Sequence, residues 1–311
     1  MIIKLPDYKK IASEVKRQKI EVLEEEVKET LDWVRKSRAK FSQKLGPCQK
    51  GDWVEIEYSS PQLENGLKRK DAFFLGKGQL IPGFEDNIEG MEIGEERRLV
   101  LTIPQNHYRK DLAGKKVEFS VKMCSVQRAE FPELTDEFAR SLGKFENLEA
   151  LKKSVREGIY LEKEEIESKR VRAEILSKIV QAAEIKPPKE LVEKEKNLML
   201  ENLKKDIANN LKIPFEEYLQ RLNKTQKEIE EYYYQQAENL VKGFLVIKEI
   251  SKRENIEVKE GEIEEEINKI LKHYPSVEAA QKELDLEKLK SYIKDRIEAE
   301  KTLEFLESFV A

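Results

Sequence analysis

The chain has 311 residues, 39% of them hydrophobic and 39% charged, enough length for two domains and enough apolar material for a buried core. Its 58 basic and 62 acidic side chains leave a net charge of -4, which excludes the electrostatic footprint of a nucleic-acid binder and equally a polyacid. Pro6 and Asp7 stand where a secretion signal needs its apolar run, and no apolar stretch approaches the ~18 residues of a membrane span, so the chain reads as soluble and cytoplasmic, without nucleic acid or membrane as partner.

From Ile20 the apolar positions Ile20, Leu23, Val27, Leu31 and Val34 step by three and four, which predicts an amphipathic helix supported by the i,i+4 pairs Glu24 with Lys28 and Asp32 with Lys36. Gly46-Pro47 is the expected stop. The period then becomes two. "DWVEIEY", "RLVLTI" and "KVEFSVKM" alternate apolar and polar residues, with turn-forming glycines between them, so Gly51 to Arg128 predicts a small antiparallel β domain with one short helix near Phe84 to Glu89. Such a sheet needs a cover for its apolar face.

After Phe131-Pro132 the helical period returns. Leu148, Leu151, Val155, Ile159, Ile166, Ala173, Leu176, Val180 and Ala183 predict one long helix, closed by Pro187-Pro188, which can open the next. Thr225 with Glu228 predicts a capping box ahead of Ile229, Tyr233, Ala237, Leu240, Phe244 and Ile247. Further helices carry Ile263, Ile267 and Ile270, then Leu289 to Val310. Irregular spacing of these stripes argues against a solenoid repeat.

Cys48 and Cys124 fit no metal spacing and are expected to be small semi-buried thiols. His107 and His273 lie far apart, which leaves no basis for a histidine catalytic or metal site, and neither a cofactor nor a metal is expected. The Tyr232-Tyr233-Tyr234 run lacks basic interleaving and reads as helix packing. On spacing alone Leu80, Ile81, Phe84 and Phe119 read first as the core of a small barrel.

"GQLIPGFEDNIEGMEIGEERRLVLTIP" followed by "LAGKKVEFSVKM" resembles the FKBP-type peptidyl-prolyl isomerase domain found within bacterial trigger factors, and "EIKPPKELVEKEKNLMLENLKKDI" with "EEYYYQQAENLVKGFLVIKEI" resembles that family's C-terminal chaperone region. The resemblance implies a multidomain α+β fold in which a small antiparallel FKBP-like β domain is inserted in an extended all-α chaperone body. Its expected divisions are 1–46, a linker helix packing with the C-terminal body; 47–129, the isomerase domain; and 130–311, the helical chaperone domain. It also implies an ATP-independent chaperone with peptidyl-prolyl cis-trans isomerase activity, whose partners are unfolded or nascent polypeptides and proline-containing segments.

Carried over residue by residue, the family's proline cup falls on Leu80 and Ile81 as paired aliphatic positions, with the Ile81 N–H as donor to the substrate carbonyl. Phe84 takes the floor, and Tyr58 and Phe119 take aromatic wall positions. Near "PQNHYRKDL" the pocket tyrosine falls on His107 in the trigger-factor register and on Tyr108 in that of simpler FKBPs; Tyr108 is the expected one. Another wall aromatic is replaced by Asp71 unless Phe73 shifts into its place, and the loop "SSPQLENGLKRKDAF" is short. The competing expectation is therefore a holdase or assembly scaffold with a degenerate, inactive isomerase domain. A secreted chaperone of the parvulin-associated kind is disfavoured by the N-terminal sequence. The Gly-Phe-Arg string of the family's ribosome-binding domain does not occur, so ribosome docking through that loop is not expected, whether the sequence is a short relative or a fragment.

Overall fold

The computed structural model describes residues 3–63, 66–78, 80–107, 109–272, 274 and 284–310. Tyr108 and His273 lie outside them. The chain divides into two compact units, Val22–Tyr160 and the combination of Met1–Glu21 with Leu161–Ala311.

The first of these carries the sheet. Its strands are β1 (Lys40–Gln43), β2 (Trp53–Ser59), β3 (Arg69–Phe74), β4 (Glu96–Thr102) and β5 (Lys116–Glu130), all pairing antiparallel. Fifteen-residue β5 is the organiser, pairing with β2, β4 and β1 in turn, while β3 pairs with β2. Alternation decides the faces: Val54, Ile56, Leu99, Leu101, Val117, Phe119, Val121 and Met123 are buried, and they pack with Phe84 and Ile88 of the five-residue helix α3 (Phe84–Ile88). The turn into α3 runs through Gly83 at φ 85°, and Arg97 Nη1 closes its far end by donating to the Asn87 carbonyl at 2.7 Å. Cys48, fully buried, ties the preceding loop to the same helix: its thiol donates to the Ile88 carbonyl at 3.1 Å.

The first helix of this unit corrects the sequence expectations at three points. Helix α2 spans Glu24–Ser37, so Ile20 lies outside it and Leu23, its N-cap, is 59% exposed. Gly46 is not its stop, because β1 intervenes, and Glu24 pairs with Arg156 rather than supporting its own helix through Lys28. Asp32 with Lys36 forms as expected, and the Lys36 hydrogen bond holds the Asp32 carboxyl below its ordinary value. Val27 and Leu31 pack with Phe138 and Ala139 of α4 (Asp136–Leu142) and with Leu151 of α5 (Leu148–Ala182).

The helical unit is built from α1 (Tyr8–Ser13), the later turns of α5, α6 (Lys189–Asp206), α7 (Phe215–Leu222), α8 (Gln226–Arg253), α9 (Glu260–Leu271) and α10 (Leu286–Glu307). Its core joins Ala12 and Val15 to Val171, Ile175, Ile179, Val246, Ile250 and Leu306. The expected α5 stripe does not run straight: Ile166 is 61% exposed, and Val171, Ile175 and Ile179 are the buried set. The capping box at α8 is present, with Thr225 accepting from the Glu228 N–H and Glu228 accepting from the Thr225 N–H. Tyr234 packs against Val192, Ala237 and Val241, whereas Tyr232 is half exposed.

Candidate functional site

Beside the covered face of the sheet lies a cavity of about 170 Å³, lined by Tyr58, Ser60, Leu63, Leu67, Arg69, Ile81, Ile103, His107, Arg109, Leu112 and Phe119 among others. Each strand delivers its residue by register. Phe119 is on β5 opposite Leu99, and Tyr58 is on β2 opposite both Val121 and Arg69, which places an aromatic pair at one end of the core. Behind them lies Phe84, only 3% exposed, with its ring edge-on to Tyr58 at 6.2 Å and 76° and to Phe119 at 5.6 Å and 78°. Three aromatics from three elements thus brace one another under a small apolar opening.

Four of the six residues expected from the sequence come together in this way: Tyr58, Ile81, Phe84 and Phe119. Leu80 turns to a neighbouring depression of about 380 Å³ with Lys50, Gly76, Gly78 and Glu85, and Ile81 borders both. Tyr108 lies outside the described residues, and His107, the alternative at that position, lines the cavity and accepts from the Arg109 N–H at 3.2 Å through Nδ1. Phe73 does not move into the wall position left by Asp71. It is buried opposite Val54, and Asp71 is exposed.

Main-chain geometry at Leu80 and Ile81 has its own support. The Ile81 carbonyl accepts from the Phe84 N–H at 2.9 Å, while among the described residues the Ile81 N–H has no partner. Glu85, 7% exposed, accepts from the N–H groups of Gly76 at 2.7 Å, Gly78 at 3.1 Å and Leu80 at 3.3 Å. Sequence reasoning passed over this carboxylate, as it did the rim cations Arg69 and Arg109. The available signal was an acid directly after Phe84, facing a loop whose glycines allow successive N–H groups to converge.

The helical unit holds a second opening, a groove of about 550 Å³ between α5 and α8, lined chiefly by Ala173, Leu176, Val180, Leu240, Phe244 and Ile247. Leu240 and Phe244 are 53% and 42% exposed. These are residues that the sequence assigned to packing stripes. Among the described residues no helix is long and apolar enough to cross a membrane.

Residues 47–124 match the family described as FKBP-type peptidyl-prolyl cis-trans isomerase, and residues 147–308 match the bacterial trigger factor C-terminus. The trigger factor of Caldicellulosiruptor saccharolyticus is 34% identical over 321 residues, covering 97% of this chain and 69% of the relative. The chain belongs to the trigger factor family. The trigger factor of Caldicellulosiruptor bescii is similar too, 34% identical over 94% of this chain and 68% of its own length. A solved structure described as "Promiscuous Substrate Recognition in Folding and Assembly Activities of the Trigger Factor Chaperone" covers 99% of this chain and 72% of its own with a TM-score of 0.55; at 21% identity it supports the fold. The protein is accordingly an ATP-independent chaperone with an FKBP-type peptidyl-prolyl isomerase domain.

Proposed function

We propose that this trigger factor relative acts in the cytoplasm on unfolded and nascent polypeptides, turning X-Pro bonds in the aromatic cup of the β unit and holding apolar client segments along the α5–α8 groove. Residues 47–129 form the isomerase domain in this reading, and residues 1–46 and 130–311 belong to the chaperone body. The observation that carries it is the bracing of Tyr58 and Phe119 by Phe84 beside an Ile81 N–H that has no partner among the described residues.

The chemistry asks little of such a site. A peptide bond resists rotation by ~18–20 kcal/mol, and X-Pro bonds isomerise in tens to hundreds of seconds unaided. A thousandfold acceleration lowers the barrier by only about 4 kcal/mol. No nucleophile or general base takes part, because no bond other than the partial double bond is loosened. Water stabilises the planar, charge-separated imide, so a cup that grips the ring and excludes water favours the twisted state. Tyr58 and Phe119 supply the walls, Phe84 holds them, Leu80 and Ile81 shape the side, and the Ile81 N–H donates to the substrate carbonyl. Tyr108 or His107 closes the remaining edge.

The test is proline isomerisation in an X-Pro tetrapeptide and in a proline-limited refolding protein, comparing wild type with Tyr58→Ala and Phe119→Leu. Both variants should lose at least tenfold in kcat/KM while still suppressing aggregation of an unfolded client. Undiminished turnover in both would place the reaction elsewhere. A wild type inactive toward proline but competent as a holdase would leave the scaffold reading.

A further inference from the structure

We infer that Glu85 is a positioning residue for proline turnover: its buried carboxylate fixes the loop that aims the Ile81 N–H into the cup. The inference rests on the assignment of that N–H as the substrate donor.

Three N–H groups, from Gly76, Gly78 and Leu80, converge on one carboxylate. In an extended chain the N–H groups of residues two apart point the same way but stand ~6.6 Å from one another, too far to share one carboxylate, so such convergence requires the chain to curl, and Gly76 at φ 85° and Gly78 at φ 66° provide the curl. A Cβ on Gly76 would stand 2.9 Å from Lys50 Cγ, whereas one on Gly78 would meet nothing within 4 Å, so Gly78 is glycine for its backbone alone. Glu85 lies in the first turn of α3, and α3 is fixed to the sheet through Phe84 and Ile88. The carboxylate therefore ties the loop to a helix anchored in the buried core of the unit.

The loop ends one residue before Ile81. On that residue's other side, the Ile81 carbonyl is held by the Phe84 N–H. The Leu80–Ile81 peptide is flanked on both sides by groups bonded to the same helix: Glu85 accepts from the Leu80 N–H, and the Phe84 N–H donates to the Ile81 carbonyl. With both neighbours held, the Ile81 N–H keeps one direction, and Ile81 borders the cavity. A buried carboxylate whose acceptors are filled by main-chain donors has strong, charge-assisted bonds, and an amide in its place offers one acceptor and presents an N–H to another N–H.

Glu85→Gln should leave the domain folded yet release the loop. The expected results are a fall of about tenfold in kcat/KM toward an X-Pro tetrapeptide, carried by kcat, and upfield movement of the Gly76, Gly78 and Leu80 amide protons in ¹H–¹⁵N spectra while those of Val121 and Met123 stay in place. Gly78→Ala gives the same loop a second, independent disturbance. It should lose turnover similarly, whereas Gly94→Ala, equally strained at φ 88° with nothing within 4 Å of its Cβ, should not. If Glu85→Gln and Gly78→Ala shift the loop amides but keep kcat within twofold of wild type, the positioning role is overturned. The cup assignment survives that result provided Tyr58→Ala still loses at least tenfold in kcat/KM. Should Glu85→Gln fail to fold, Gly78→Ala against Gly94→Ala decides alone.

Discussion

Phe84→Leu measures how far the cup depends on rings bracing rings. Phe84 meets Tyr58 and Phe119 edge-on, at 6.2 and 5.6 Å, and is 3% exposed. Each such pair contributes about 0.5–1.5 kcal/mol beyond the area it buries, so the change removes roughly 1–3 kcal/mol. Leucine retains most of the apolar volume, which keeps the cavity cost small. Against a domain stability of about 5–15 kcal/mol even the upper figure leaves some 2 kcal/mol, a folded-to-unfolded ratio of roughly 30. The variant should therefore fold, with its walls less fixed. If about 1 kcal/mol of the lost bracing is expressed in the transition state, kcat/KM falls about fivefold. Both tryptophans, Trp33 and Trp53, belong to the Val22–Tyr160 unit, so fluorescence-monitored urea unfolding reports this unit selectively, and proline-limited refolding reports turnover. A destabilisation below about 0.5 kcal/mol together with unchanged turnover would refute the argument, since neither the rings nor the cup would then depend on Phe84.

Three more outcomes are expected. Glu167 is bound by Arg170 and by the Gln18 N–H at 2.7 Å, and these bonds bring its carboxyl down to about 2. A lowered folded-state value gives stability that is complete above about pH 4.5 and lost as pH falls toward 2, so Glu167→Gln should be less stable at neutral pH and show a flatter decline between pH 5 and 2 by circular dichroism; an unaltered slope would count against the bonds. Burial raises the Cys48 thiol, and Cys124 is partly exposed, so Ellman's reagent should titrate one thiol in the native chain and two after denaturation; two fast thiols would contradict the buried placement. Leu240→Glu, at a half-exposed groove position, should weaken suppression of aggregation severalfold while leaving tetrapeptide turnover and the thermal midpoint unchanged; full chaperone activity would remove the groove from client binding.

The strands were legible because β2, β4 and β5 bury one face and wet the other, and period-two alternation encodes that directly. β1 was not, since all four of its residues, Lys40 to Gln43, are exposed and carry no burial pattern. Pairing to the end of β5 defines it, and that is a long-range fact. The α5 stripe misled for a related reason: Leu148 to Ile159 pack in one unit and Val171 to Ile179 in the other, so the buried face changes along one helix and no single period describes it. Tyr58, Phe84 and Phe119, side chains with a shape to recognise, could be named in advance and lie together, whereas Glu85 accepts from main-chain donors, and nothing in side-chain identity reveals which amides converge.

Turnover and holding make opposite demands on packing, and the two units answer them differently. Catalysis by shape requires walls that do not yield, and Phe84, Phe119, Val121 and Met123 are each at most 3% exposed in one continuous core. Holding a client of no fixed sequence requires apolar surface that adapts, and α5 and α8 leave Leu161, Ile166, Leu240 and Phe244 between 42% and 61% exposed. Such surface would also attract a second copy of the chain. The dense ion pairs around it, among them Lys178 with Glu174 and Lys242 with Glu238, contribute little stability each, about 0–1 kcal/mol. Their value lies in hydration: charged side chains bracketing each apolar patch keep the patches small and separate. In the proposed reading, a client segment flexible enough to thread between the charges would reach what a folded surface cannot.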